Sequence, residues 1–195
     1  MKRKREQYKH IEKILIILSK LFLVLPYKIR LKLFEHFRKI KGNKGLAIRY
    51  ILIRTLAKQC GKNISIQPDV YIFNPQNLSL GNNVSIHPMT YIECGKNGKI
   101  QIGNDVSIAH GVTILAENHI YNRLDIPIKD QGLIEKETVI EDNIWIGAKA
   151  TILSGRKISS GCVIGSNCVV TKDTIENTII VGNPGRIIKE RKETI

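Results

Sequence analysis

Residues 140–170 read IEDNIWIGAKATILSGRKISSGCVIGSNCVV, and an aliphatic residue recurs at every sixth position of this stretch. The same spacing continues upstream in shorter runs. The residues that carry it are Leu80, Ile86 and Ile92, then Ile102, Ile108 and Ile114, and finally Ile140, Ile146, Ile152, Ile158, Ile164 and Val170. An amphipathic helix repeats every three or four residues and a strand every two, so a period of six fits neither. It fits a coil with three short flat sides and about 18 residues per turn, whose aliphatics line the axis and whose neighbouring coils pair in parallel.

The breaks in the six-residue phase predict where the chain leaves this coil. Between Ile92 and Ile102 the step is ten residues, and the glycines within residues 95–98 indicate a small turn. Between Ile114 and Ile140 the step is 26 residues, so we expect a loop to be extruded over residues 115–139. Long loops in compact folds are usually functional or disordered. We therefore expect functional residues in this loop.

The extruded loop contains His119 together with Glu117, Tyr121 and Asp125. Histidine is the side chain whose ordinary pKa suits a general base near neutral pH. A carboxylate such as Glu117 or Asp125 can fix the tautomer of its imidazole. The alternative is that His119 is only a polar loop residue, but its position at the phase break favours a functional role.

His87 and His110 are the competing histidines, and both fall off the aliphatic positions, so we expect them to point outward or lie in turns. Three converging histidines can bind zinc. The spacing does not establish that His87, His110 and His119 come together, so we expect no metal site and keep a zinc lyase as an alternative.

Trp145, the only tryptophan, lies between inward-pointing neighbours, so alternation turns it outward onto a flank of the coil. An exposed indole favours a partner, either another subunit or a ligand. The backbone N–H of Gly147 or Ala148 just beyond it is placed to stabilise a developing oxyanion.

Basic residues also crowd the C-terminal end, where they either cap the coil or hold cofactor phosphates. These residues are Lys172, Arg186, Lys189 and Arg191.

Several segments together resemble the hexapeptide-repeat acetyltransferases, and most of all the polysaccharide-biosynthesis and maltose/galactoside-type O-acetyltransferases. The segments are Glu117-Asn118-His119, Pro127-Ile128 with Gln131-Gly132, residues 142–148, residues 170–173 and Gly182-Asn183-Pro184. The likeness covers residues 60–191. It implies an all-β fold, a left-handed parallel β-helix, assembled as a homotrimer with an acetyl-CoA site in the groove between neighbouring coils.

The resemblance also implies roles for individual residues. His119 matches the catalytic base, and we assign Glu117 as its catalytic partner. Trp145 matches the aromatic residue beside the acceptor and the pantetheine arm, and we place Tyr121 and Asp125 with it at the acceptor. The positions expected at the cofactor are Gly147, Ala148, Gly165, Thr171, Lys172, Arg186 and Lys189. Glu117 departs from the Asp that polysaccharide-type relatives often carry two residues before the histidine.

The charge of the chain is concentrated at its start. The net charge is +14, and residues 1–44 hold 14 Lys and Arg against three Glu, which leaves +11 there and +3 in the remainder. Residues 7–40 read as one or two basic amphipathic helices divided by Pro26. Such a helix either lies on an anionic membrane or packs on the β-helix or a trimer mate. No recognition motif accompanies the charge, so we expect no nucleic acid partner.

These patterns predict two parts: a basic helical segment over residues 1–59, and a β-helix domain over residues 60–195 with a C-terminal cap over 171–195, which the resemblance implies to be an acetyltransferase domain. We expect an enzyme that moves an acetyl group from acetyl-CoA to a sugar hydroxyl in surface polysaccharide biosynthesis. Alternatives are acetylation of an antibiotic or xenobiotic, and a non-catalytic β-helix scaffold. The four cysteines lack a C-x-x-C spacing, so we expect reduced thiols and a cytoplasmic protein, at the inner face of the membrane if residues 1–40 bind lipid.

Overall fold

The structure, a computed structural model, describes residues 12–192. The first eleven residues of the predicted N-terminal segment and the last three of the predicted cap lie outside the described residues. Three helices come first: α1 (Glu12–Phe22), α2 (Tyr27–His36) and α3 (Gly42–Leu56). The strands that follow are β1 (Gln59–Cys60), β2 (Ser65–Ile66), β3 (Tyr71–Phe73), β4 (Leu78–Leu80), β5 (Ser85–Ile86), β6 (Tyr91–Glu93), β7 (Ile100–Ile102), β8 (Ser107–Ile108), β9 (Thr113–Leu115), β10 (Glu117–His119), β11 (Leu133–Glu135), β12 (Thr138–Ile140), β13 (Trp145–Ile146), β14 (Thr151–Ile152), β15 (Lys157–Ile158), β16 (Val163–Ile164), β17 (Val169–Val170), β18 (Thr178–Val181) and β19 (Arg186–Glu190).

The predicted left-handed parallel β-helix is confirmed. Its coils stack into three faces: the first has the order β1-β4-β7-β12-β15, the second β19-β18-β16-β13-β8-β5-β2, and the third β17-β14-β9-β6-β3. The aliphatics of the six-residue repeat form the axial ladders. Ile140 pairs with Ile102 and Ile158 on the first face, and Ile146 with Ile108 and Ile164 on the second. Each of these side chains is at most 2% exposed. Stacking of the coils buries them, because the aliphatics of neighbouring coils pack against one another along the axis.

The glycines that follow the axial aliphatics allow neighbouring coils to approach each other. A Cβ atom on Gly81 would lie 2.6 Å from the carbonyl carbon of Gly103, and one on Gly147 would lie 2.6 Å from the Ser166 nitrogen. The left-handed backbone falls two residues later, at Asn83 (φ 59°) and Lys149 (φ 58°). The glycines at positions 81 and 147 are therefore required for close backbone approach and not for a left-handed backbone.

The N-terminal helices close one end of the prism. Pro26 stands at the N-cap of α2 and so separates α1 from α2, as predicted. Helix α3 packs against α1, α2, β1 and β2, and it buries Leu52, Ile53 and Leu56 over the first coil. None of the helices that the structure describes has the length and apolar content needed to cross a bilayer.

The opposite end of the prism is closed by an antiparallel hairpin. Strand β18 extends the second face beyond β16, and β19 folds back onto it. Ile180 of β18 and Cys168 of the last coil are both buried, and a Cβ on Gly185 would lie 2.8 Å from the Cys168 sulfur. The hairpin thus covers the last coil of the axial core. All four cysteines are free thiols.

Candidate active site

The loop that leaves the prism after β9 is built as a two-stranded arm. Strand β10 pairs antiparallel with β11, so Glu117 lies opposite Glu135 and His119 opposite Leu133. Because side chains alternate along a strand, Glu117 and His119 project from the same face of the arm and Asn118 from the other. His119 is exposed and Glu117 half-buried. The arm therefore presents the predicted base to solvent with a carboxylate beside it.

Gln131 braces the segment between the two strands of the arm. Its Nε2 donates to the carbonyl oxygens of Arg123 (2.7 Å) and Ile126 (3.1 Å), and its Oε1 accepts from the Arg123 backbone N–H (3.0 Å). The Arg123 guanidinium in turn forms an exposed ion pair with Asp125 and lowers the pKa of that carboxyl. Of the two carboxylates proposed to orient His119, Asp125 is thus held by Arg123, and the geometry favours Glu117.

Glu117 lies in a cluster of carboxylates. A Cβ on Gly95 would lie 3.0 Å from Glu117 Oε2 and closer still to Glu135 Oε1, so both carboxylates lie over this glycine. Burial raises the pKa of Glu117 above its usual value, the carboxylates of Glu93 and Glu135 raise it further, and His119 acts in the opposite direction. His119 is therefore close enough to interact electrostatically with Glu117.

Glu93 and Glu135 are the site residues that sequence reasoning missed. Glu135 accepts a hydrogen bond from the Asn97 backbone N–H (2.9 Å), which lowers the pKa of its carboxyl. Glu93 pairs with Leu115, two residues before Glu117 on the chain. The six-residue phase places Glu93 just after the axial Ile92, as it places Leu115 just after Ile114. This spacing was the only signal in the sequence that Glu93 would lie near Glu117. The pairing of Glu117 with Glu135 depends on the register of the arm, which the phase does not specify.

A cleft of about 290 Å³ opens beside the arm, and it brings together three of the predicted residues. Glu117, Tyr121 and Thr171 all line it, together with Asn118. Tyr121 is 65% exposed, so its phenol is available to a ligand in this cleft. Thr171, expected at the cofactor, therefore lies beside the arm, but His119 is not among the residues that line this cleft.

Trp145 points outward from the second face, as alternation predicted, with 55% of its surface exposed. It lies between Ser107 and Val163 of the neighbouring coils. The Gly147 N–H just beyond it donates to the Ile164 carbonyl (2.7 Å), and the Gly165 N–H donates to the Ile180 carbonyl (2.7 Å). These bonds belong to the coil-to-coil ladder, so the suggestion that Gly147 donates to an oxyanion is wrong and the Ala148 N–H is the remaining candidate.

Two of the predicted basic residues share a cleft at the C-terminal end. Lys172 and Arg186 both line a cavity of about 260 Å³ between the last coil and β19. Lys189 lies on β19 opposite Ile179 and is exposed. Lys172 and Thr171 are adjacent in sequence but line different clefts.

The predicted site residues thus fall into three groups within one chain. The arm and its cleft lie where the third face meets the first, since β9 precedes the arm and β12 follows it. Trp145, Gly147 and Gly165 belong to the second face. Lys172 and Arg186 lie at the C-terminal end. One chain by itself does not place His119 against Trp145.

His110 is exposed in the turn after β8, and His87 is exposed after β5. Within residues 12–192 no group of three or more His, Cys, Asp or Glu side chains is arranged to hold a metal ion.

The relatives of this chain among known proteins include several acetyltransferases. The putative acetyltransferase YJL218W of Saccharomyces cerevisiae is 33% identical over 143 residues, which cover 73% of this chain and 70% of that protein. The galactoside O-acetyltransferase of Escherichia coli is 30% identical over 144 residues, covering 73% and 68%. The probable acetyltransferase Rv3034c of Mycobacterium tuberculosis is 38% identical over 93 residues, but this match spans 48% of the chain and only 31% of that longer relative.

A solved structure and a family description point the same way. The hexapeptide-repeat acetyltransferase VCA0836 of Vibrio cholerae, solved in complex with acetyl-CoA, superposes with a TM-score of 0.74 at 26% identity, over 86% of this chain and 87% of that one. The family described as bacterial transferase hexapeptide (six repeats) matches residues 137–172. With the coil geometry above, these likenesses show that the chain belongs to the hexapeptide-repeat acetyltransferase family.

Proposed function

We propose that this protein transfers an acetyl group from acetyl-CoA to a hydroxyl of a sugar, with His119 as the general base. The observation that carries the proposal is the arm, which holds an exposed imidazole at a strand end and a carboxylate, Glu117, on the same face. A base on a paired strand is positioned more firmly than one on an irregular loop. Membership of an acetyltransferase family supplies the donor.

The proposed chemistry is a direct transfer. His119 takes the proton of the acceptor hydroxyl as its oxygen attacks the thioester carbonyl carbon. The new C–O bond forms and the C–S bond breaks, and the imidazolium returns its proton to the departing sulfur. Glu117 stabilises the imidazolium while it carries that proton. The Ala148 N–H is the proposed donor to the oxyanion of the tetrahedral intermediate.

The residues expected at acetyl-CoA suit its chemistry. Lys172 and Arg186 offer two cations in one cleft, which fits the phosphates of the nucleotide end. Trp145 offers an exposed apolar face to the pantetheine arm. Gly147 and Gly165 leave the coil surface beside Trp145 without side chains. The pantetheine chain can therefore approach the backbone closely there. Thr171 and Lys189 complete the proposed set.

A homotrimer is part of the proposal because a single chain separates the base from the rest of the set. The arm emerges between the third and first faces, whereas Trp145 lies on the second. A ring of three copies closes on itself and brings different faces of adjacent chains together. In such a ring His119 of one chain meets Trp145 and Ala148 of the next, with Tyr121 and Asp125 proposed at the acceptor.

Mixing two inactive variants tests whether the site is shared between chains. His119→Ala and Trp145→Ala subunits, each expected to be inactive alone, are co-expressed with different tags and the mixed trimers purified. If each site takes its base from one chain and its indole from the next, every purified mixed trimer has one intact site of three and recovers about a third of wild-type activity. Mixed trimers that stay inactive would contradict the shared site.

The proposed acceptor class is a surface polysaccharide or its lipid-linked precursor. A basic, partly apolar N-terminal segment favours a location at the inner face of the cytoplasmic membrane, where such precursors are presented. The E. coli relative is named as a galactoside O-acetyltransferase, which supports a sugar as the acceptor.

Release of the coenzyme A thiol tests the function directly. Full-length protein is incubated with acetyl-CoA and a panel of sugars and glycans, and free thiol and the acceptor mass are both measured. We expect one acetyl group to be added to a sugar with equal thiol release. Acetylation of soluble antibiotics without any sugar product, or an absence of acetyl-CoA binding in titration, would overturn the proposal.

A further inference from the structure

Helix α1 presents a row of aliphatic side chains to solvent. Ile14, Ile17, Leu18 and Leu21 are 57%, 60%, 37% and 62% exposed. They are spaced as i, i+3, i+4 and i+7, so they form one continuous stripe along the helix. Isolated exposed aliphatics need no explanation, but a contiguous apolar patch on a folded protein marks a contact surface.

The stripe is distinct from the face that α1 uses for packing. Leu15 and Ser19 are buried, and α1 packs on α3. Glu12 is also turned inward, where it accepts a hydrogen bond from the Tyr50 hydroxyl (2.8 Å). The fold of the chain therefore accounts for one face of α1 and leaves the aliphatic stripe uncovered.

The apolar surface continues past the end of the helix. Leu23 and Val24, in the turn before α2, are 57% and 84% exposed. Together the stripe and this turn place six exposed aliphatic side chains within eleven residues. We call this set, Ile14, Ile17, Leu18, Leu21, Leu23 and Val24, the α1 apolar surface.

Positive charge borders the α1 apolar surface. At about 100° per residue, Lys13 and Lys20 fall on the same edge of the stripe, and both are exposed. Exposed Lys28 follows at the start of α2. The preceding residues 1–11 add five Lys and Arg against one Glu in the sequence. An aliphatic strip edged by lysines has the pattern of a helix that lies in a lipid interface.

We infer that the α1 apolar surface docks the protein onto an anionic lipid bilayer. The six aliphatics enter the boundary between headgroups and acyl chains, while Lys13, Lys20 and Lys28 contact the lipid phosphates. A second copy of the chain is the other occupant to consider, but it would bring its own lysines close to Lys13, Lys20 and Lys28, and like charges across an interface repel. The inference specifies the residues of the proposed membrane location and does not depend on acetyl transfer.

The proposed trimer strengthens this attachment. Cyclic symmetry places three copies of the α1 apolar surface at the same height along the three-fold axis. Three weak insertions into one flat bilayer then act together, because the second and third are intramolecular once the first has formed.

Vesicle flotation tests the inference. Full-length protein is mixed with phosphatidylcholine vesicles that contain or lack phosphatidylglycerol, and the floated fraction is measured. We expect the protein to float with anionic vesicles and less with neutral ones. The double variant Ile17→Ser, Leu21→Ser is expected to reduce the partition coefficient at least ~10-fold. Ile175→Ser is the matched control, since Ile175 is 66% exposed in the C-terminal part of the chain.

A second variant covers the case in which the serines disturb α1. Lys13→Gln, Lys20→Gln leaves the aliphatics intact and is expected to weaken flotation, most of all at low salt. Light scattering and acetyl-CoA turnover on a soluble sugar are measured for every variant. The inference is overturned if wild-type protein does not float with anionic vesicles, or if the serine variant floats with them to the same extent as the wild type. Loss of trimers in the serine variant without any vesicle binding by the wild type identifies a second copy as the occupant.

Discussion

Replacing His119 by alanine is expected to lower kcat/KM for acetyl transfer at least ~100-fold while leaving the fold unchanged. The proposed mechanism requires a group that removes the hydroxyl proton as the oxygen attacks, and alanine offers none. We expect little change in the free energy of unfolding, because His119 is exposed on the arm. Its pairing with β11 is made by the backbone, which alanine retains. The measurement is steady-state thiol release at saturating acetyl-CoA, with far-UV circular dichroism to check folding.

His110→Ala provides the matched control for this experiment. His110 is also exposed, but it lies in a turn of the prism after β8 rather than on the arm. We expect near wild-type turnover in this control. A His119→Ala enzyme that retains its rate, or a His110→Ala enzyme that loses it, would contradict the role given to His119.

Replacing Arg49 by methionine is expected to lower the free energy of unfolding by ~1–3 kcal/mol, the usual cost of leaving buried hydrogen-bond acceptors without their donor. Arg49 is fully buried in α3. Its Nε donates to the Ile66 carbonyl (2.8 Å), and one terminal nitrogen donates to the carbonyls of Ile40 (2.7 Å), Phe37 and Arg38 (both 3.2 Å). These bonds join the chain after α2 to the first coil, and methionine leaves those carbonyls without this donor.

Urea unfolding at one fixed protein concentration measures this change, since subunit association would otherwise contribute to stability. Lys44→Met is the control, because Lys44 is exposed on the same helix and surface changes usually stay within about 0.5 kcal/mol. Equal urea midpoints for the Arg49→Met and Lys44→Met proteins would show that Arg49 does not stabilise the packing of the helices on the prism.

Much of the fold was determined by the sequence because its pattern is one-dimensional. Each coil repeats the same contacts with its neighbours, so a phase of six residues fixes which side chains point inward without knowledge of distant contacts. Ile146 was therefore expected on the axis and Trp145 on the flank, and both predictions are confirmed. The phase break after Ile114 likewise indicated an extruded segment, and the structure has an arm there.

The interior of that arm could not be predicted in the same way. Its strands pair antiparallel with a register that depends on how residues 120–132 turn, and that register sets Glu117 opposite Glu135. The residue types alone left both Glu117 and Asp125 as candidates to orient His119, and Glu117 was assigned as the catalytic partner only with the family resemblance. Only the tertiary structure pairs Asp125 with Arg123 and places Glu117 among carboxylates.

The sequence by itself thus determined the prism, its axial ladders, the outward indole and the position of the histidine, because each follows from a local period or a break in it. The tertiary structure decided that Asp125 pairs with Arg123, that the Gly147 N–H donates to a carbonyl of the next coil, and which face of α1 remains uncovered. These depend on contacts between segments far apart in the chain. No spacing along the sequence specifies such contacts, because they arise only when the coils, the arm and the helices have packed together.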